Sequence, residues 1–297
     1  MNIYLFIYLI FSLIFANLFQ LYSYLSVEFQ LVCSSISILF IGLPHGTLDH
    51  KISFKNDSIN TFKFYSYYLG SIFFYLVLWY ILPVFCFIFF ILNSSFHFGE
   101  TQFNNINFNN NKHKFVFYVF WGLSIIVSQV YYNYNELITY IKLYNYPEYF
   151  FLNLKFIEYV FISSNIIVFL YFYYNLKQRF FTLEILFSEI FFLLLVHITS
   201  YIFPLIICFT LFFIILHSLP SMESQYIFFK KYDSSFNYNK FILLMLPYSI
   251  ISCFSSVILI LLSYYYYLPI SIPLLAIIII SVITLPHSIV MYLFNSK

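Results

Sequence analysis

Residues Gly42-Leu43-Pro44-His45-Gly46-Thr47-Leu48-Asp49-His50 place two imidazoles and a carboxylate at the end of a long apolar run. Imidazole is the commonest metal ligand that stays neutral at pH 7, and a nearby carboxylate can orient it. The local chain favours a break in a helix. Pro44 removes a backbone donor and drives Leu43 out of the α region. Gly46 permits a tight turn or a close backbone approach. The expected result is one imidazole, His45, held at the mouth of a hydrophobic bundle. Three more histidines sit in comparable settings. His97 lies in Ser94-Ser95-Phe96-His97-Phe98-Gly99-Glu100, His217 in Leu216-His217-Ser218-Leu219-Pro220-Ser221, and His287 in Thr284-Leu285-Pro286-His287. Each has Pro or Gly within three residues.

The elements that must carry these side chains are membrane helices. The 297 residues are 63% hydrophobic and 8% charged, with a mean hydropathy of +0.89. Soluble domains carry about 25% charged residues, so a water-soluble fold is excluded. The expected fold is all-α, a polytopic transmembrane bundle of eight to ten helices forming one integral membrane domain over residues 1–297. A span needs about 20 apolar residues, which gives segments 3–25, 27–44, 64–81, 83–98, 115–132, 156–174, 180–200, 202–219, 241–266 and 269–293. The first is read as a retained helix, because it has no basic leader and no small-residue cleavage site. Polar loops are expected at 45–63, 99–114 (with the Asn-rich tract 104–111), 133–155, 175–179 and 221–240. Loop 133–155 carries Leu137, Ile138, Ile141 and Leu143, spaced for a segment lying in the interface.

Ten spans put eleven of the thirteen Lys and Arg on one side, leaving Lys142 and Lys155 on the other. The positive-inside rule makes the rich side cytoplasmic, in a cell (inner) membrane. On this topology His45, His97, His217 and His287 come from four non-adjacent helices to one depth on that side. Intramembrane ionisable groups are costly and mark function. The four are therefore read as a metal site near the cytoplasmic face. An all-imidazole set suits Fe, Cu, Zn or Ni. Asp49, Glu100 and Glu223 could accept the second ring N–H of a ligand, and His50 could support the site or belong to a plain loop. His113 reads as a solvated loop residue and His197 as a core or interfacial one. Cys33, Cys86, Cys208 and Cys253 are scattered singly and indicate neither a disulfide frame nor a thiolate site. No basic cluster suited to nucleic acid is present. A haem electron carrier would want histidine pairs at mid-helix depth. A retinal-binding pump would need a mid-helix Lys, and every Lys here is marginal.

Together the motifs resemble the Brp/Blh family of membrane β-carotene 15,15′-dioxygenases, which accompany retinal-based light-driven pumps. The Gly-Leu-Pro-His-Gly-Ala-x-Asp stretch of that family is matched by 42–49, its Ser-x-x-His-Phe-Gly by 94–99, its His-Ser-x-x-His in part by 217–221, and its late Pro-His by Pro286-His287. The resemblance implies a lipid-embedded enzyme with an iron(II) (Fe2+) centre. O2 and β-carotene would be its substrates and two retinals its product. No catalytic residue beyond the metal site and no organic cofactor is implied. The family's iron ligands carry over to His45, His97 and His217. The fourth, the second His of His-Ser-x-x-His, is Ser221 here. His287 or His50 would fill the place, or three His and water would serve; His287 is taken as the replacement. Gln102 and Tyr292 stand where the family tends to carry an acid. The alternatives are a catalytically altered carotenoid-binding relative and a haem-binding membrane electron carrier.

Overall fold

The computed structural model describes residues 3–21, 26–56, 60–106, 108, 111–143 and 153–295. Among them every regular element is helical: α1 (Ile3–Leu21), α2 (Val27–Ser37), α3 (Asp49–Asn56), α4 (Thr61–Ile81), α5 (Pro83–Gln102), α6 (Asn111–Tyr132), α7 (Tyr134–Leu143), α8 (Leu154–Lys177), α9 (Leu183–Ile202), α10 (Leu205–Leu211), α11 (Leu219–Tyr232), α12 (Tyr238–Tyr264) and α13 (Ile272–Asn295). Nine helical runs among the described residues are long and apolar enough to cross a membrane, and Ile3–Phe19 is a shorter apolar helix. This is the all-α, polytopic architecture that the hydropathy predicts. Residues 1–2, 22–25, 57–59, 107, 109–110, 144–152 and 296–297 lie outside the described residues. They include the end of the first expected span and parts of three expected loops.

The helix boundaries follow local chemistry. Pro83 opens α5, where its missing N–H costs nothing. The side chains of Asn60, Thr182 and Asn237 accept from the free amides of Phe62, Ile185 and Lys240 at the starts of α4, α9 and α12. Two expected breaks become changes of helix type. After α2 the chain winds through a π segment, Ile38–Gly42, then a 3-10 turn, Leu43–Gly46, with Pro44 in its first turn. It re-enters an α-helix at Asp49. The expected span 202–219 passes through a second π segment, Phe212–Ser218, and continues to Tyr232. Pro220 falls in the first turn of α11, where its missing N–H costs no intrahelical hydrogen bond. Much of the loop expected at 221–240 is thus helix, and α5 extends to Gln102, past the expected end at 98. The expected interfacial segment within 133–155 is the short helix α7.

The chain divides into two compact units, residues 1–37 with 95–217 and residues 38–94 with 218–297. In the first, α6 packs against α8 and α9, and α9 against α1 and α10. Tyr8 and Thr199 hydroxyls meet at 2.6 Å between α1 and α9. Glu136 of α7 accepts the Leu205 amide at 2.8 Å, satisfying a free donor at the start of α10. In the second unit α13 packs against α3, α4 and α12. Trp79 donates from α4 to the Ser281 hydroxyl of α13 at 2.8 Å. A core of Leu48, Ile52, Tyr226, Phe229, Phe241 and Met245 joins α3, α11 and α12.

Candidate metal centre

Four of the expected ligands are buried, and each unit holds two of them. In the second unit the rings of His45 and His287 meet edge-on, with centroids 4.7 Å apart. His45 comes from the 3-10 turn and His287 from α13, one residue after Pro286. The two offer ligand nitrogens within 4.8 Å of each other. Both rings are anchored through Nδ1. His45 Nδ1 is hydrogen-bonded to the Gly42 carbonyl. His287 Nδ1 lies 2.9 and 3.0 Å from the two oxygens of Asp49. A carbonyl and a carboxylate accept, so Nδ1 is the donor in both rings. That is the tautomer a ligand imidazole needs.

The backbone beneath His45 is also held. Gln225 of α11 donates to the His45 carbonyl at 2.6 Å. Cys253 of α12 places its thiol on the Leu39 carbonyl at 3.0 Å, inside the π segment that leads to His45. Asp49 accepts a second hydrogen bond from the Tyr68 hydroxyl of α4 at 3.0 Å. Gly46 stands against His287: a Cβ there would lie 3.2 Å from its Nδ1.

In the first unit His97 of α5 and His217 of the second π segment also meet edge-on, with centroids 4.9 Å apart. Glu100 Oε2 lies 3.9 Å from His97 Nδ1, one helical turn along α5. Phe98 packs on His217 at 4.6 Å and Phe213 stacks on it at 5.6 Å. π turns are rare and concentrate at functional sites. Here both interrupt a span at, or just before, a candidate ligand.

Helix α5 is seated by very close packing. A Cβ on Gly122 of α6 would fall 2.0 Å from the Ser95 carbonyl oxygen, and one on Gly99 would fall 2.3 Å from that of Tyr118. Ser95-x-x-x-Gly99 is a small-residue stripe of the kind that lets membrane helices touch backbone to backbone. It brackets His97.

The remaining candidates fall elsewhere. His50 packs between Tyr248, at 4.4 Å, and Tyr65, at 6.1 Å. Glu223 is exposed on α11. His113 is exposed and stacks on Tyr174. His197 is half-buried beside Tyr132 and Phe161. Ser221 is fully buried on α11, one turn before Gln225. Gln102 donates to Glu189 of α9 at 2.8 Å. Tyr68 and Gln225 escape sequence reasoning altogether. Each belongs to a common residue type in a helical run and acquires its role only through a contact with another element.

Residues 36–295 match the family model described as Beta-carotene 15,15'-dioxygenase. The chain belongs to this family. A β-carotene 15,15'-dioxygenase of an uncultured marine bacterium (66A03) is 40% identical over 79 residues. That match covers 24% of this chain and 28% of the relative, so it spans little more than a quarter of the relative's length. No solved structure matches the chain. The donor set fits the iron(II) that the family membership implies. It consists of buried imidazoles, two of them anchored through Nδ1 to an acceptor, and imidazole nitrogen suits a borderline cation.

Proposed function

We propose that this chain is an iron(II)-dependent oxygenase of the bilayer that cleaves β-carotene with O2 at its central double bond. One β-carotene and one O2 give two retinals, which balances all atoms. The observation that carries the reading is the Nδ1 anchoring of His45 and His287 within a chain of this family.

On this reading His45 and His287 of one unit and His97 and His217 of the other would each give one ring nitrogen to the ion, as the sequence motifs imply. Chain continuity supports this set. Ser288, the neighbour of His287, donates to Asn93 at 3.0 Å, and His97 lies one helical turn beyond Asn93 on the same α5. His217 lies two residues before the start of α11, whose Gln225 holds the His45 carbonyl. On this reading the two units work as one integral membrane domain.

When bound, iron(II) supplies the site at which O2 is activated. The chain's own contribution is to hold, orient and keep dry. Neutral imidazoles impose no negative charge and leave coordination positions open. Phe98 and Phe213, both buried, wall His217 with apolar rings and help to keep it dry. β-Carotene has no polar group, so selection rests on shape, and entry from the bilayer between helices suits it. The excess of Lys and Arg on one side of the expected topology supports a reading in which the site faces the cytoplasmic side of an inner membrane.

A second reading, a carotenoid-binding relative without turnover, is favoured by one observation: Ser221 stands where the family carries a ligand. Expression of the full chain in a β-carotene-producing bacterium separates the two. Loss of colour with formation of retinal, abolished by His45→Ala or His97→Ala, is expected. Persistent colour in cells that contain the intact protein overturns the enzymatic reading.

A further inference from the structure

We infer that Asp49 and Tyr68 are positioning residues for the metal site, a relay from α4 through α3 that fixes the tautomer and tilt of His287. The inference rests on the reading of His287 as a ligand.

Three elements converge on this ring. Asp49 is the first residue of α3, and its carboxylate straddles His287 Nδ1 at 2.9 and 3.0 Å. Tyr68, on α4, donates to Asp49 Oδ2 at 3.0 Å. Gly46 closes the third side, its backbone so near that an added Cβ would touch Nδ1 at 3.2 Å. A single hydrogen bond to a carboxylate leaves the group free to rotate about its Cβ–Cγ bond. Two bonds from different helices stop that rotation and define the plane in which Nδ1–H is received. The ring is then fixed with Nε2 on its far edge. The carboxylate charge also makes the imidazole a stronger donor to a cation. The phenol offsets part of the cost of burying that charge, because bonds to an ionised acceptor are about twice as strong as neutral ones.

The arrangement also accounts for the local sequence. The chain turns through Thr47 and Leu48 to set Asp49 at the head of a new helix. There the first-turn amides favour a negative side chain.

The test uses the full chain purified in detergent, with Asp49→Asn, Tyr68→Phe and His287→Ala. Iron(II) retention is read by metal analysis after dialysis against graded chelator, and the ligand field by the visible spectrum of the cobalt(II)-loaded protein. His287→Ala should lose the metal most completely. Asp49→Asn should weaken retention about 10–100-fold, and Tyr68→Phe several-fold. Both should shift the cobalt bands with the melting temperature little changed. If Asp49→Asn fails to fold, Tyr68→Phe carries the test alone, since it removes one oxygen atom and no charge. Wild-type retention and an unmoved cobalt spectrum in both variants, beside loss in His287→Ala, overturn the relay and leave the site reading intact. Wild-type retention in His287→Ala overturns the assignment of that ligand and the relay with it.

Discussion

Gly46 and His287 are held so close that a methyl group on the first would stand 3.2 Å from Nδ1 of the second. The backbone at Gly46 is not in the left-handed region, so alanine is allowed there on conformational grounds. Its effect is steric and local. The ring must give by a few tenths of an ångström, yet Asp49 holds it through Nδ1. Displacing a side chain from its preferred rotamer costs about 0.5–1.5 kcal/mol. Replacing Gly by Ala at a compatible position returns about 0.4–1 kcal/mol. The two nearly cancel. Gly46→Ala should therefore melt close to wild type while retaining iron several-fold less well. A variant that keeps full metal affinity would show that His287 tolerates reorientation and is not a ligand.

At the crossing of α5 and α6 the balance is different. Gly122→Ala would drive a Cβ to 2.0 Å from the Ser95 oxygen and 2.5 Å from its Cα, and these are backbone atoms that no rotamer change can move. The helices must separate. Overpacking costs about 1–3 kcal/mol where side chains can yield, and this contact should lie at or beyond the upper end. Gly99→Ala meets the Tyr118 backbone in the same way. Because Ser95 and Gly99 flank His97, both variants should lose thermal stability and metal together. Normal melting in either would mean that the crossing is looser than the packing indicates.

The sequence carries the spans and the chemistry far better than it carries the geometry. Hydropathy locates the runs, since a bilayer leaves few alternatives to helix. Pro44 and Pro220 mark where two runs are perturbed, whereas α13 continues through Pro286. What the sequence conceals is the form of the perturbation. Phe212–Ser218 has the composition of an ordinary apolar helix, and nothing in it announces a π turn. Tyr68 is one of 31 tyrosines, and only its distance from Asp49 singles it out. Gln225 reads as a surface glutamine in an expected loop. It is fully buried, because α11 runs on past Pro220.

Gln225 offers a sharper test of how His45 is held. Its amide donates to a buried backbone carbonyl at 2.6 Å. Gln225→Met keeps the length of the side chain and removes the donor. Losing a buried hydrogen bond costs about 0.5–1.5 kcal/mol, and the 3-10 turn that carries His45 loses its tie to α11. Melting should fall by that amount, and chelator should strip iron more readily than from wild type. Equal retention per folded molecule would make Gln225 a structural residue with no bearing on the metal.

Ser221 decides between a replaced ligand and a missing one. Its hydroxyl is fully buried and makes no hydrogen bond among the described residues. If His287 has taken over the ligand position, the hydroxyl contributes nothing to the metal. Removing a buried polar group that lacks a partner is neutral or mildly stabilising, and the cavity left by one oxygen atom is small. Ser221→Ala should then melt at or slightly above the wild-type temperature, bind iron with unchanged affinity and keep the same cobalt(II) spectrum. A fall in affinity, or a change in the cobalt bands, would mean that Ser221 reaches the ion directly or through a bound water. His287, with Nδ1 already committed to Asp49, would then be a fifth partner and not a substitute.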